Sequence, residues 1–103
     1  MCFTMELMKA EIKLYLKKTY RDGVVLEMHI WQVKKNASYP EGIKYSLICI
    51  DPVSGNKVLM DNHSPKGHHY HVNVVQFEYQ FTGVENLISD FKQYVRTYLG
   101  VEI

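Results

Sequence analysis

The chain is poor in cysteine: Cys2 and Cys49 are the two it has in 103 residues. Two thiols, one of them at the N-terminus, support neither a disulfide framework nor a cysteine zinc site. No apolar run reaches the ~18 residues of a membrane span. Met1–Met5 lacks the basic segment and long apolar stretch of a signal peptide, so the expected location is cytoplasmic, with no membrane partner. An excess of one charge is lacking too. The 12 basic and 11 acidic residues leave a net charge of +1, which excludes a strongly basic nucleic-acid binder as a whole-chain description but leaves room for a local patch. Repeats and low-complexity segments are absent. What remains is ordinary globular composition, 47% hydrophobic and 22% charged, which argues against disorder. The length predicts a single domain over residues 1–103, burying roughly two-thirds of its unfolded surface around one core.

Charge and imidazole are unevenly spread. Lys9, Lys13, Lys17, Lys18, Arg21, Lys34, Lys35 and Lys44 outnumber the acids of the first half, whereas acids prevail from Tyr45 onward. His63, His68, His69 and His71 crowd into one short segment. These asymmetries carry more information than the net charge does.

The periodicity predicts an α+β protein: a meandering antiparallel sheet of about five strands with a C-terminal helix packed on one face. Residues 10–20 alternate, with Ala10, Ile12, Leu14 and Leu16 on one side and Glu11, Lys13, Tyr15, Lys17 and Thr19 on the other. A helical reading through Met8, Ile12, Tyr15 and Leu16 is set aside because Asp22-Gly23 follows, a hairpin turn in which both central residues would take positive φ. The second strand puts Leu26, Met28 and Ile30 on one face and Glu27, His29 and Trp31 on the other. Residues 34–42 read as a polar loop. Ile43–Ile50 and Lys57–Asp61 read as strands joined by an Asp51–Asn56 hairpin connection. Pro65 and Gly67 exclude regular structure over 62–67. A fifth strand is expected between His69 and Phe81, broken near Asn73, with Val75, Phe77, Tyr79 and Phe81 on one face. Thr82-x-x-Glu85 has the form of a capping box for a helix whose stripe is Val84, Leu87, Ile88, Phe91, Val95 and Tyr98, ending at Gly100.

The segment Asp61–His71 carries the chemistry. It combines a carboxylate, an amide, a lysine and four imidazoles, the last being the side chain that exchanges protons near neutral pH. If His69 and His71 lie in a strand, their spacing puts both on one face with Cβ atoms roughly 6–7 Å apart. That suits acid–base catalysis at a phosphate. It equally suits joint metal ligation, with Asp61 or His63 as a third ligand. Lys66 is placed to meet an anion or to solvate a turn; Asp61, to orient a histidine or merely to end a strand. Lys13 and Lys17 flank Tyr15 in a pattern shared by solubilising strand faces and by RNA-tracking surfaces, and Lys44 is grouped with them. His29 reads as a satisfied structural or surface residue, Trp31 as packing rather than a stacking platform, and Cys49 as core.

The order of these pieces resembles the TumE-type toxins of prokaryotic toxin–antitoxin pairs. The resemblance rests on Trp31-Gln-Val, Ile43-Lys-Tyr-Ser-Leu, Asp61-Asn-His, Lys66-Gly-His-His-Tyr-His71, Phe77-Glu-Tyr-Gln-Phe81 and Leu87-Ile-Ser-Asp-Phe91. It spans about Ile12 to Tyr94, and its distinctive part is Asp-Asn…Lys-Gly-x-His-x-His. Where this chain has His68 the family pattern often has an acid, which favours His69 and His71 over His68. The resemblance implies a growth-inhibiting protein paired with a small helix-turn-helix antitoxin, and no settled chemistry. The reading adopted from the residues is RNA cleavage, on free or ribosome-bound mRNA, without a cofactor. His69 and His71 are the acid–base pair, Lys66 contacts the phosphate and Asp61 orients a histidine. A metal-dependent nuclease or hydrolase using His69, His71 and His63 is the nearest alternative, and a non-catalytic binding module is another. A homodimer through a sheet edge is also expected.

Overall fold

The computed structural model describes residues 10–103, so the expectations attached to Cys2, Met8 and Lys9 lie outside the described residues. Six strands follow one another: β1 (Glu11–Thr19), β2 (Val25–Gln32), β3 (Ile43–Ile50), β4 (Lys57–Asp61), β5 (His69–Val72) and β6 (Val75–Glu78). They form one antiparallel sheet in chain order, and α1 (Val84–Leu99) follows. The α+β meander therefore has six strands where five were counted. The expected fifth strand is two, because Asn73, at φ 56°, turns the chain back and pairs Val72 with Val75. Asparagine tolerates that left-handed conformation better than most side chains.

Alternation sorts the side chains onto two faces. One face carries Leu26, Met28, Ile30, Tyr45, Leu47, Cys49, Val58 and Met60, all buried, and α1 covers it with Leu87, Phe91 and Val95. Burial of Cys49 raises its thiol pKa to about 11, as suits a core thiol rather than a reactive one. Helix α1 is anchored by the Tyr79 hydroxyl, which donates to Asp90 Oδ2 at 2.6 Å.

Three local expectations are corrected. The Asp22-Gly23 connection is not a two-residue turn: Gly23 alone takes positive φ in that loop, the Gly23 amide donates to the Tyr20 carbonyl, and Tyr20 and Val24 close the hairpin. This is the longer hairpin in which one glycine absorbs the left-handed position. In β1 a bulge interrupts the alternation, since Ile12 pairs with Trp31 and Leu14 with Ile30, leaving Lys13 unpaired. Ile12 therefore lies opposite Leu14 and Leu16, on the outer face, 69% exposed. The capping box does not form either. Gly83, at φ 133°, is the N-cap without a side-chain bond, and the Thr82 hydroxyl accepts from Asn86 instead. At the other end Gly100 caps α1 in the left-handed conformation, its amide donating to the Arg96 carbonyl, as the sequence predicts.

Candidate functional site

The face of the sheet away from α1 holds the polar chemistry. Register alone builds a row across it: Tyr15 pairs with His29, His29 with Ser46, Ser46 with Asp61, and Asp61 with His69. His71 sits one step along β5, opposite Leu59. Asp61 ends β4 and His69 begins β5, so the 62–68 loop lies beside both. Asp61, His63, Ser64, Pro65, Lys66, His69 and His71 line one depression of about 250 Å³. The four residues read as catalytic and the alternative ligand His63 thus meet in one place.

Two devices fix that loop. Asn62 is 2% exposed, and its amide imitates a strand. Its Oδ1 accepts from the Tyr45 amide at 2.9 Å and its Nδ2 donates to the Ile43 carbonyl at 2.8 Å. The side chain thus satisfies β3 where the β4 backbone departs, and holds Asp61 at the strand end. Gly67, at φ 76°, then aims its carbonyl at the ring of His69.

His69 is 4% exposed and both its nitrogens face acceptors. Nδ1 donates to the Gly67 carbonyl at 2.8 Å, and Nε2 lies 3.0 Å from Asp61 Oδ1. Both ring nitrogens of His69 are therefore engaged, whereas the spacing alone suggested a free acid or base. As placed, it offers no nitrogen to a metal, and no three His, Cys, Asp or Glu side chains converge on a cation position among the described residues.

His71 is the available imidazole. Its ring meets that of His69 edge-on at 5.0 Å, so the two histidines share a face as expected. Among the described residues it makes no side-chain hydrogen bond. Burial holds its pKa below the usual 6.5, with the charge of His69 and then Lys66 and Lys57 acting in the same direction against Asp61. His71 accordingly favours its neutral, proton-accepting form.

The residues read as RNA-binding are divided by the bulge. Tyr15 and Lys17 stay on the outer face. Lys13 turns to Gln32, donating to its Oε1 at 3.3 Å. Lys44 pairs with Trp31, its ammonium 5.6 Å from the Trp31 ring and 5.9 Å from that of Tyr39. Trp31 and His29 lie on the outer face against Tyr15, as the alternation of β2 predicts, and they pack on each other. Asn62 stands in the distinctive Asp-Asn element, but its strand-mimicking role was not assigned from the sequence. His68 leaves the site altogether. Its Nδ1 accepts from the buried Tyr45 hydroxyl at 2.8 Å, its Nε2 donates to Glu41 at 3.1 Å, and it stacks on Phe81. That wedge ties the 34–42 loop to the sheet, a structural role.

Comparison with curated proteins and with solved structures yields no match. Among the described residues no helix is long and apolar enough to cross a membrane. The family model described as Toxin TumE matches residues 5–99, nearly the whole chain. The match takes in the outer-face row, the Asp61–His71 segment and the helix, and the chain belongs to the TumE toxins, the toxin side of toxin–antitoxin pairs.

Proposed function

We propose that this toxin arrests growth by cleaving RNA at the outer-face depression, without a cofactor. The observation that carries the reading is His71, a neutral imidazole without a side-chain hydrogen bond among the described residues, beside the His69–Asp61 pair and Lys66. His71 removes the proton from a ribose 2′-hydroxyl. The 2′-oxygen attacks the adjacent phosphorus, the bond from phosphorus to the 5′-oxygen breaks, and a 2′,3′-cyclic phosphate forms. His63, the exposed imidazole of the same depression, gives the leaving 5′-oxygen its proton, and solvent exchange resets both rings. Lys66 stabilises the charge that gathers on the phosphoryl oxygens. His69, held by Asp61 and the Gly67 carbonyl, braces the ring of His71. This modifies the expectation that His69 and His71 exchange protons as a pair. Tyr15, Lys17 and Lys44 contact the RNA, and Lys13 contributes from the rim.

The antitoxin that the family implies is, in this reading, a helix-turn-helix protein whose acidic or apolar segment covers the depression. The test is end-mapping of total RNA from cells after brief induced expression of the wild type and of His71→Ala, with circular dichroism confirming that both fold. New RNA ends that appear with the wild type alone are the expected result. Growth arrest with intact RNA would remove the reading and favour a toxin that binds or modifies another target.

A further inference from the structure

The outer face carries an aromatic ladder that the chemistry at His71 does not use. Tyr15 and His29 have ring centroids 4.7 Å apart, and His29 and Trp31 stack at 5.2 Å with planes 21° apart. Beyond Trp31 the Lys44 ammonium stands between that ring and Tyr39. Tyr15 is 53% exposed at the other end. None of these rings meets α1, because their strand positions alternate with those of the core. Tyr15 is tilted by 58° against His29, and Lys44 covers the far side of Trp31, so the exposed ring of Tyr15 is the end at which another flat ring can join the row.

The charge around the ladder favours an anion, the unpaired carboxylate of this face among the described residues, Glu78, lying at the far end opposite His69. Two carboxylates of this face are engaged by imidazoles, Glu27 by His29 at 2.9 Å and Asp61 by His69 at 3.0 Å. Lys17, Lys44 and Lys57 form no ion pair within 4 Å among the described residues. Unpaired bases meeting aromatic rings, with lysines along the backbone, is the usual recognition of single strands. A duplex hides its base faces and has nothing to stack.

We propose that Tyr15, His29 and Trp31, with Lys44 at the end of the row, are a stacking platform for the unpaired bases of single-stranded RNA. The strand then crosses β3 and β4 to reach His71. The identity of the nucleic acid as RNA rests on the ribonuclease reading above; the preference for single strands rests on the ladder. From His29 to His69 is three strand spacings, about 14 Å, so the stacked bases lie a few nucleotides from the phosphate that is cut.

The test uses full-length His71→Ala protein, so that binding is read without cleavage. Trp31 is the sole tryptophan of the chain, and its fluorescence reports directly on the ladder. An eight-nucleotide oligouridine is titrated, alone and annealed to its complement. Quenching by the single strand is expected, with the duplex at least tenfold weaker. Adding Tyr15→Ala weakens single-strand binding by roughly 5- to 100-fold. Adding Lys44→Met lowers the slope of log affinity against log salt by about 0.7, one phosphate contact. Circular dichroism checks each fold. Equal affinity for duplex, no quenching, or Tyr15→Ala and Lys44→Met without effect overturns the platform. Quenching by purified antitoxin in place of oligouridine also overturns it, in favour of a protein-docking face. If the platform fails while His71-dependent RNA ends persist in cells, the ribonuclease reading stands alone. If oligouridine binds as expected but no ends appear, the ribonuclease reading fails and the platform remains.

Discussion

His69 and His71 are separated by one residue, and the structure gives them opposite surroundings. Burial and two acceptors hold His69, whereas His71 keeps a free ring whose pKa is pushed below 6.5. Replacing His71 by Ala is therefore expected to abolish toxicity while leaving thermal stability nearly unchanged, as the variant loses no side-chain hydrogen bond among the described residues. Growth assays beside a melting curve check it. The sign of the pH dependence follows from the same environment. A base must be neutral to act, so the cleavage rate falls as pH drops through the lowered pKa, below 6.5, and is level above it on this limb. Lys66→Met removes one of the charges that depress this pKa. The acid limb then moves up toward 6.5, while the plateau falls by roughly 10²-fold for loss of one stabilising charge on the phosphoryl oxygens. A pH–rate profile on an RNA substrate reads both effects. A lysine that only solvates its turn would move neither.

At the scale of the element, the site depends on how β4 stops. Asn62→Leu removes two hydrogen bonds and leaves the Tyr45 amide and Ile43 carbonyl unsatisfied in a buried place. The expected cost is about 2–4 kcal/mol, measured as a lower urea midpoint with unchanged slope. Gly67→Ala has open space for its methyl, since nothing lies within 4 Å of the added carbon. Its positive φ is the obstacle, and strain of about 1–2 kcal/mol is expected, together with a shift in the direction of the backbone carbonyl that holds His69. The sequence made some of this legible. The bounds of β3 and β4 follow from apolar runs between Asp, Pro and Gly signals, and the common face of His69 and His71 follows from period two. The bulge was not legible, because the alternation of residues 10–20 continues through Lys13 without a break; only the pairing with β2 exposes the extra residue. The capping box failed for a related reason. Thr82 and Glu85 have the right spacing, but Gly83 absorbs the turn into α1 and Asn86 takes the threonine hydroxyl. The bonding role of Asn62 was not legible, because an amide that mimics a strand has no periodicity, although the Asp-Asn motif marked the position. The outer-face place of Trp31 was legible, from its alternation with Met28 and Ile30.

On the proposed reading, the two faces of the sheet divide stability from function among the described residues. The inner face and α1 supply the core, in which Phe91, Leu87 and Val95 are fully buried. The outer face carries the row from Tyr15 to His71. Loss of toxicity can therefore arise in two ways, and they are separable. Phe91→Ala leaves a cavity under the only helix among the described residues, at an expected cost of about 3–5 kcal/mol. A domain of ordinary stability has about 5–15 kcal/mol in all, so this variant sits near its unfolding threshold. It is expected to lose toxicity through lowered abundance, with a depressed melting temperature, and to regain part of it when cells are grown cooler. His71→Ala should stay folded, abundant and inert at every growth temperature. The distinguishing measurement is the toxicity of each variant per unit of soluble protein at two temperatures. If Phe91→Ala proved inactive per molecule while fully folded, the helix face itself would have to belong to the functional surface, and the division between the two faces would be wrong.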